Sequence, residues 1–253
     1  MFLNVIKPSV EMKTEPSEMS CLETECLFGE CIQIHDEYKN WYYCTLTTDQ
    51  YCGWVNKKGL GKLKKPTHRV IAKRTFIFNH KDVKSNCLFY LPMGSKIAVK
   101  KIECEWSEID FSISKQKKIG YVPTKHIVDL DHRVKDWVAT AEKLEGIPYK
   151  WGGRNTIGLD CSALLQLSYQ TYGENIPRNT SDQIKLEKKI VSKIVDLRRG
   201  CVVFWEGHVG IMIDEIHCIH ANAFNMSTNS EELRKIISRM DKETKIKKMM
   251  DFY

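Results

Sequence analysis

The sequence predicts an α+β chain in which two small all-β barrels precede a mixed domain of helices and strands. Three observations carry this. Residues 21 to 130 hold a repeat of short, alternating apolar stretches. From Asp131 the apolar period becomes that of a helix. The stretch Gly158-Leu159-Asp160-Cys161-Ser162-Ala163-Leu164-Leu165-Gln166 then sets a cysteine at the head of a second helix, with two strongly apolar strands downstream. The expected domains are residues 1–63 (an N-terminal arm and the first barrel), 64–130 (the second barrel) and 131–253 (the mixed domain).

Composition narrows the function classes. The 253 residues carry 39 Lys and Arg against 32 Asp and Glu, a net charge of +7. The densest basic clusters (Lys57-Lys58, Lys62-Lys64-Lys65, Lys115-Lys117-Lys118) lack interleaved aromatics, so they read as solvated faces and not as a nucleic-acid surface. The ten cysteines are irregularly spaced with no C-x-x-C, and the evenly spaced Cys21, Cys26 and Cys31 do not have a zinc-knuckle spacing; in a chain read as unexported they are expected to be reduced thiols. Neither a charged start followed by a long apolar run nor an apolar segment of membrane-spanning length occurs. The expectation is a cytoplasmic protein with no cofactor, no metal, no nucleic acid and no membrane partner, its oligomeric state left open.

Residues 1–20 are polar and broken by Pro8 and Pro16, and read as an arm lying on the first barrel. In the first repeat, Leu27-Phe28-Gly29 precedes the alternating Cys31-Ile32-Gln33-Ile34. Trp41 follows Gly29 by twelve residues, and Gly53-Trp54-Val55 begins twelve after that. In the second, Met93-Gly94 precedes Lys96-Ile97-Ala98-Val99, Trp106 again follows by twelve, and Gly120-Tyr121-Val122 begins fourteen later. A glycine inside each strand predicts a close backbone approach. The pattern resembles bacterial SH3-like domains.

Val134, Trp137, Val138, Ala141 and Leu144 recur at helical spacing, with Asp131 expected as N-cap and Gly146 as stop. A loop of aromatics and glycines follows (Ile147 to Gly153), then the Cys161 helix, then Ile176-Pro177-Arg178. Strands are expected at Cys201 to Trp205, His208 to Ile213 and Ile216 to His220. The charged tail 229–253 is expected to begin as a closing helix with Leu233, Ile236, Ile237 and Met240 on one face.

A cysteine at a helix start meets unpaired N–H groups and the positive end of the macrodipole, which favour the nucleophilic thiolate. It also needs a base within roughly 2.6–3.2 Å and a group that orients that base. Alternation puts His208, Gly210 and Met212 on one strand face, and His220 ends the next strand. Antiparallel pairing of those strands would set the two imidazoles side by side. A metal site made from Cys201, His208, His217, Cys218 and His220 is the rival, but His217 and Cys218 point to opposite faces and no structural zinc spacing occurs.

The motifs Pro148-Tyr149-x-Trp151-Gly152-Gly153, Asp160-Cys161-Ser162, Pro177-Arg178, His208-Val209-Gly210 and Ile219-His220-Ala221 resemble, in order and spacing, the NlpC-type papain-like cysteine peptidases. With two SH3-like domains upstream, the chain is similar to the subgroup that cleaves murein peptides between D-γ-glutamate and a diamino acid. The resemblance implies Cys161 as nucleophile, His208 as base and His220 as its orienting residue. Tyr149 and the Cys161 N–H would hold the oxyanion. It further implies a short murein peptide with a free N-terminal L-alanine as substrate, and a role in cell-wall recycling. Asp160 is the expected partner of the substrate ammonium. Glu23 and Tyr51 match pocket-wall positions, and Ser162 and Thr180 match polar positions near the substrate backbone.

Two departures stand out. Ala163 replaces the family's usual glycine, a change that favours helix. Gly200-Cys201 replaces Gly-Asp, which puts the usual turn before the strand in doubt. A catalytically inactive wall-peptide binding module and an acyltransferase or amidase using the same thiol remain alternatives at this stage.

Overall fold

In the computed structural model, which describes residues 1–113, 116–239 and 245–253, the repeat is a repeat of topology. The chain divides into two units, Met1–His132 and Arg133–Tyr253. The first unit opens with strands β1 (Phe2–Val5), β2 (Ser9–Lys13), β3 (Leu22–Leu27), β4 (Cys31–Tyr38), β5 (Trp41–Leu46), β6 (Cys52–Asn56) and β7 (Leu60–Gly61). They form one antiparallel sheet in the order β3-β2-β6-β5-β4-β1-β7. The second set is β8 (His68–Val70), β9 (Arg74–Phe78), β10 (Cys87–Pro92), β11 (Lys96–Ile102), β12 (Trp106–Asp110), β13 (Ile119–Pro123) and β14 (Ile127–Asp129). Its order, β10-β9-β13-β12-β11-β8-β14, repeats the first with every strand advanced by seven. Each sheet encloses its own apolar cluster, one around Met12, Ile32, Leu46 and Val55, the other around Ile77, Leu91, Ile109 and Val122.

The strand glycines make the expected close approach. A Cβ on Gly53 would lie 2.6 Å from Met12 Cγ, and one on Gly120 would lie 2.5 Å from Ile77 Cγ2. Met12 and Ile77 are core residues of the equivalent strands β2 and β9, so each barrel spends the same position on the same contact.

Residues 1–20 differ from expectation. They form no arm. β1 pairs with both β4 and β7, and β2 with both β3 and β6, so both are integral to the sheet. Val5, Val10 and Met12 enter the core while Ser9 and Glu11 face outward. The polar half of a period-two pattern is what made the stretch look like an arm.

The second unit holds one six-stranded sheet and the helices packed with it. Its elements are α1 (Val138–Lys143), the short pair β15 (Arg154–Asn155) and β16 (Gly158–Leu159), α2 (Cys161–Gln170), α3 (Thr180–Gln183), β17 (Lys189–Ile190), β18 (Cys201–Trp205), β19 (His208–Met212), β20 (His217–Asn222), β21 (Ser227–Glu232), α4 (Leu233–Arg239) and β22 (Lys248–Asp251). The sheet order is β17-β22-β18-β19-β20-β21. Every residue of α2 from Cys161 to Tyr169 is buried, so this helix is the centre of the unit and not a surface helix.

The first helix is shorter than its apolar period. Trp137, Val138, Ala141 and Leu144 are buried as expected, but Asp131 is exposed and does not cap. Asp136 takes that task, its Oδ1 accepting from the N–H groups of Val138 and Ala139 at 3.1 and 3.3 Å. The tail is not only a closing helix. It opens with β21 and ends with β22, which inserts between β17 and β18. Met240, expected on the tail helix, lies outside the described residues. β22 also answers the departure at Cys201. Asp251 stands opposite Cys201 in the β18–β22 ladder and pairs with Arg198, so a carboxylate still braces the turn before β18. No helix among the described residues is long and apolar enough to cross a membrane.

Candidate active site

Asp160 caps α2 with extended backbone, and its Oδ1 accepts the Ala163 N–H at 2.9 Å. Cys161 therefore occupies the first helical position, 7% exposed. The cap belongs to a larger buried network. Arg178 donates to Asp160 Oδ1 through Nη1 at 2.9 Å and to Oδ2 through Nη2 at 2.6 Å. Nη1 also donates to Ser162 Oγ at 2.6 Å, Ser162 Oγ donates to Asp160 Oδ1 at 3.1 Å, and the Gly152 N–H donates to Oδ2 at 3.0 Å. Asp160 is the expected partner of the substrate ammonium; in the structure its two oxygens gather the helix start, the Trp151-Gly152 loop and Arg178, with which it forms a bidentate buried pair.

β18, β19 and β20 are successive antiparallel neighbours, with Ile211 opposite Ile219 and Met212 opposite Cys218. This register delivers the imidazole pair. His208 Nε2 lies 2.8 Å from His220 Nδ1. The other face of His208 is bounded by Trp205, whose ring centroid is 5.7 Å away. Gly210 makes the approach possible, because a Cβ there would meet Cys218 Sγ at 2.4 Å. Cys161 Sγ lies 4.0 Å from Gly207 O, and the Val209 N–H points at the same sulfur. The residues on both sides of His208 thus hold the sulfur, which leaves His208 Nδ1 as the ring nitrogen not used by His220.

Burial decides the protonation states. It pushes the Cys161 thiol up to about 12, with the Asp160 charge adding to the rise and the Val209 N–H and Arg178 working against it. It pulls His208 down to about 3, helped by His220. His220 is lowered by burial too, with Glu231 opposing. Both shifts run toward the uncharged forms, thiol and neutral imidazole, against the pull of the helix start. Since the thiol loses its proton only as pH rises, alkylation of Cys161 by iodoacetamide is expected to accelerate throughout pH 6 to 9. A flat rate over that interval, the mark of a standing thiolate–imidazolium pair, would contradict this assignment.

Tyr149 is placed by the bond from its N–H to Met226 O at 2.9 Å and by its bridge to Leu159, next to the Asp160 cap. Burial, then the charges of Cys161 and Asp160, raise its phenol to about 12, so it remains a donor. Thr180 opens α3, which is tied to the site through Gln183, whose Nε2 donates to Ser162 O at 3.0 Å. In the first barrel, the Tyr51 hydroxyl donates to Glu23 Oε2. Of the rival metal grouping, His217 turns to Asp214 at 2.9 Å and Cys218 packs against Gly210.

Two participants were not anticipated. Arg178 lay in a quoted motif, but nothing in its spacing says that it pairs with Asp160. Glu231, whose Oε1 lies 3.0 Å from His220 Nε2, sits on β21, a strand the polar run Ser227 to Glu232 does not advertise.

A buried helix with cysteine at its head, laid on an antiparallel sheet that carries paired imidazoles, is the arrangement of the papain-like thiol peptidases. Comparison with known proteins narrows that class. Residues 146–250 match the NlpC/P60 family, and residues 13–60 match the bacterial dipeptidyl-peptidase Sh3 domain. The second unit is therefore an NlpC/P60 family cysteine peptidase domain, and SH3-like structure precedes it.

Among its relatives is the gamma-D-glutamyl-L-lysine dipeptidyl-peptidase of Bacillus subtilis (strain 168), 25% identical over 226 residues, 79% of this chain and 72% of that one. Dipeptidyl-peptidase 6 of Lysinibacillus sphaericus is 22% identical over 264 residues, covering 96% of both. In fold, the chain resembles the crystal structure of an NlpC/P60 family protein from Bacillus cereus ATCC 10987, with a TM-score of 0.83 at 15% identity over 100% of this chain and 99% of that one.

Proposed function

We propose that this chain hydrolyses the bond between D-γ-glutamate and a diamino acid in short muropeptides that carry a free N-terminal L-alanine. The observation that carries the reading is that the Cys161 sulfur is held by Gly207 O and the Val209 N–H, the two neighbours of His208 in the chain, while the His208 ring is bonded to His220. The name of the Bacillus subtilis relative supports the substrate class.

In the proposed mechanism, His208 Nδ1 takes the Cys161 proton as sulfur attacks the γ-glutamyl carbonyl carbon. The oxyanion is received by the Tyr149 hydroxyl and the Cys161 N–H, which has no carbonyl one turn earlier in the helix to accept it. The imidazolium of His208 protonates the departing diamino-acid amine, and the C–N bond breaks. Water, deprotonated by His208, attacks the thioester and returns the thiol. His220 holds the His208 ring throughout. Ser162 and Thr180 are assigned to the substrate backbone. Asp160 is assigned to the substrate ammonium, and Glu23 and Tyr51, joined as a carboxylate–phenol pair, are assigned to the pocket wall. A role in recycling wall peptides in the cytoplasm is proposed with the substrate.

The test uses L-Ala-γ-D-Glu-L-Lys and L-Ala-γ-D-Glu-diaminopimelate, each free and N-acetylated. Release of L-Ala-D-Glu from the free-amine peptides, and loss of that preference in Tyr51→Phe and Glu23→Gln, is the expected result. Binding with no cleavage of any peptide would favour a capture module, and equal cleavage of acetylated peptide would remove the assignment of Glu23 and Tyr51.

A further inference from the structure

The line of oriented groups does not end at His220. Its Nε2 faces Glu231 Oε1 at 3.0 Å, and the His220 ring is buried. Glu231 is fixed from two further sides. Asn225 Nδ2 donates to Oε1 at 2.9 Å, and Arg239 Nη2 donates to Oε2 at 2.7 Å. Arg239 in turn lies over the exposed ring of Phe224, 4.1 Å from its centroid. Burial pushes the Glu231 carboxyl up, but bonds from His220, Asn229 and Arg239 prevail and hold it down at about 2. It is an acceptor at any pH where the protein works.

A carboxylate can only accept. His220 must therefore carry its proton on Nε2. Neutral His220 then offers Nδ1 as an acceptor, so His208 must carry its own proton on Nε2. The lone pair of His208 is left on Nδ1, the only ring nitrogen able to take the thiol proton. We propose that Glu231, locked by Arg239 and Asn225, is a positioning residue that fixes the tautomer of both histidines and thereby makes His208 Nδ1 the base. The proposal rests on the thiol-peptidase reading of the site and adds the element that gives it direction. Without an acceptor at position 231, His220 can hold its proton on Nδ1 and donate it to His208 Nε2. The His208 proton then sits on Nδ1, and that nitrogen cannot accept the thiol proton. Among the described residues, the charged or titratable groups around this line are Cys161, Tyr149, Asp160, Arg178, His208, Cys218, His220 and Arg239.

The test compares the full chain with two double variants, Glu231→Met/Arg239→Gln and Glu231→Gln/Arg239→Gln. Both remove the two charges together, so neither leaves an orphan charge buried, and only the second retains an acceptor oxygen at position 231. Nitrogen-15 NMR of labelled histidine reads the tautomers, and carboxymethylation of Cys161 and peptide kcat read the base. In the unmodified chain both histidines are expected as Nε2–H. In the Met variant the second tautomer appears, and kcat and the carboxymethylation rate fall together by on the order of 10-fold or more with KM little changed. The Gln variant recovers most of the loss. Unmoved tautomers, or two variants that behave alike, would overturn the proposal. If the γ-glutamyl peptides are not cleaved at all while tautomers and carboxymethylation respond as stated, the substrate reading fails and the positioning role stands.

Discussion

Replacing Cys161 with alanine is expected to lower turnover of the γ-glutamyl peptide by about 10⁴-fold or more, with the fold intact. The size follows from the mechanism. Among the described residues of the second unit, the other thiols, Cys201 and Cys218, are buried in the core cluster and so are not offered to a substrate. The fold should survive because the side chain loses only a sulfur at a position whose backbone is set by the Asp160 cap. His208→Gln should cost nearly as much, and the double variant little more than either alone, since the two groups act as one unit. Steady-state kinetics with a circular dichroism melt separates this from a folding defect. A loss below about tenfold would show that the chemistry lies elsewhere.

The largest effect on stability is expected at Arg178. Its guanidinium is 2% exposed, and Asp160 is 6% exposed. Taking the arginine away leaves a buried carboxylate with no counter-charge, a change that typically costs about 3–5 kcal/mol. Arg178→Met should therefore lower the melting temperature of the second unit by roughly 10–15 °C. Asp160→Asn/Arg178→Met should regain part of the loss, because the orphan charge is gone although the cap is weaker. The Arg178→Met variant also frees Ser162 Oγ and the helix start, so kcat falls alongside stability. A shift of less than about 2 °C in the single variant would mean that water, and not Arg178, satisfies Asp160.

Much of this arrangement can be read from local pattern. The equal Gly-to-Trp interval of the two repeats reflects two barrels that use the same strands for the same contacts, down to Gly53 on Met12 and Gly120 on Ile77. The meeting of His208 with His220 follows from period-two alternation plus one antiparallel turn. What escaped the pattern depends on partners far away in sequence. β22 enters the sheet beside β18 because Met249 and Met250 are buried there, yet a four-residue strand after a charged run carries no signal of its own. β21 is written in Ser, Thr, Asn and Glu, residues with little strand preference, so Glu231 could not be seen to face His220. The Asp160–Arg178 pair was hidden because only the folded chain brings Arg178, eighteen residues on, against Asp160. The balance at the Cys161 thiol is hidden from the sequence for a related reason. The helix start was visible in the sequence, but the desolvation that outweighs it comes from the strands packed against it.

The most direct measurement is the intact mass of the enzyme, acid-quenched during turnover of L-Ala-γ-D-Glu-diaminopimelate. The account predicts a transient adduct with the mass of L-Ala-γ-D-Glu in thioester linkage, mapped to the Cys161 peptide and absent from Cys161→Ala. Product formed by Cys161→Ala at the unmodified rate, or an adduct on any other residue, would contradict it.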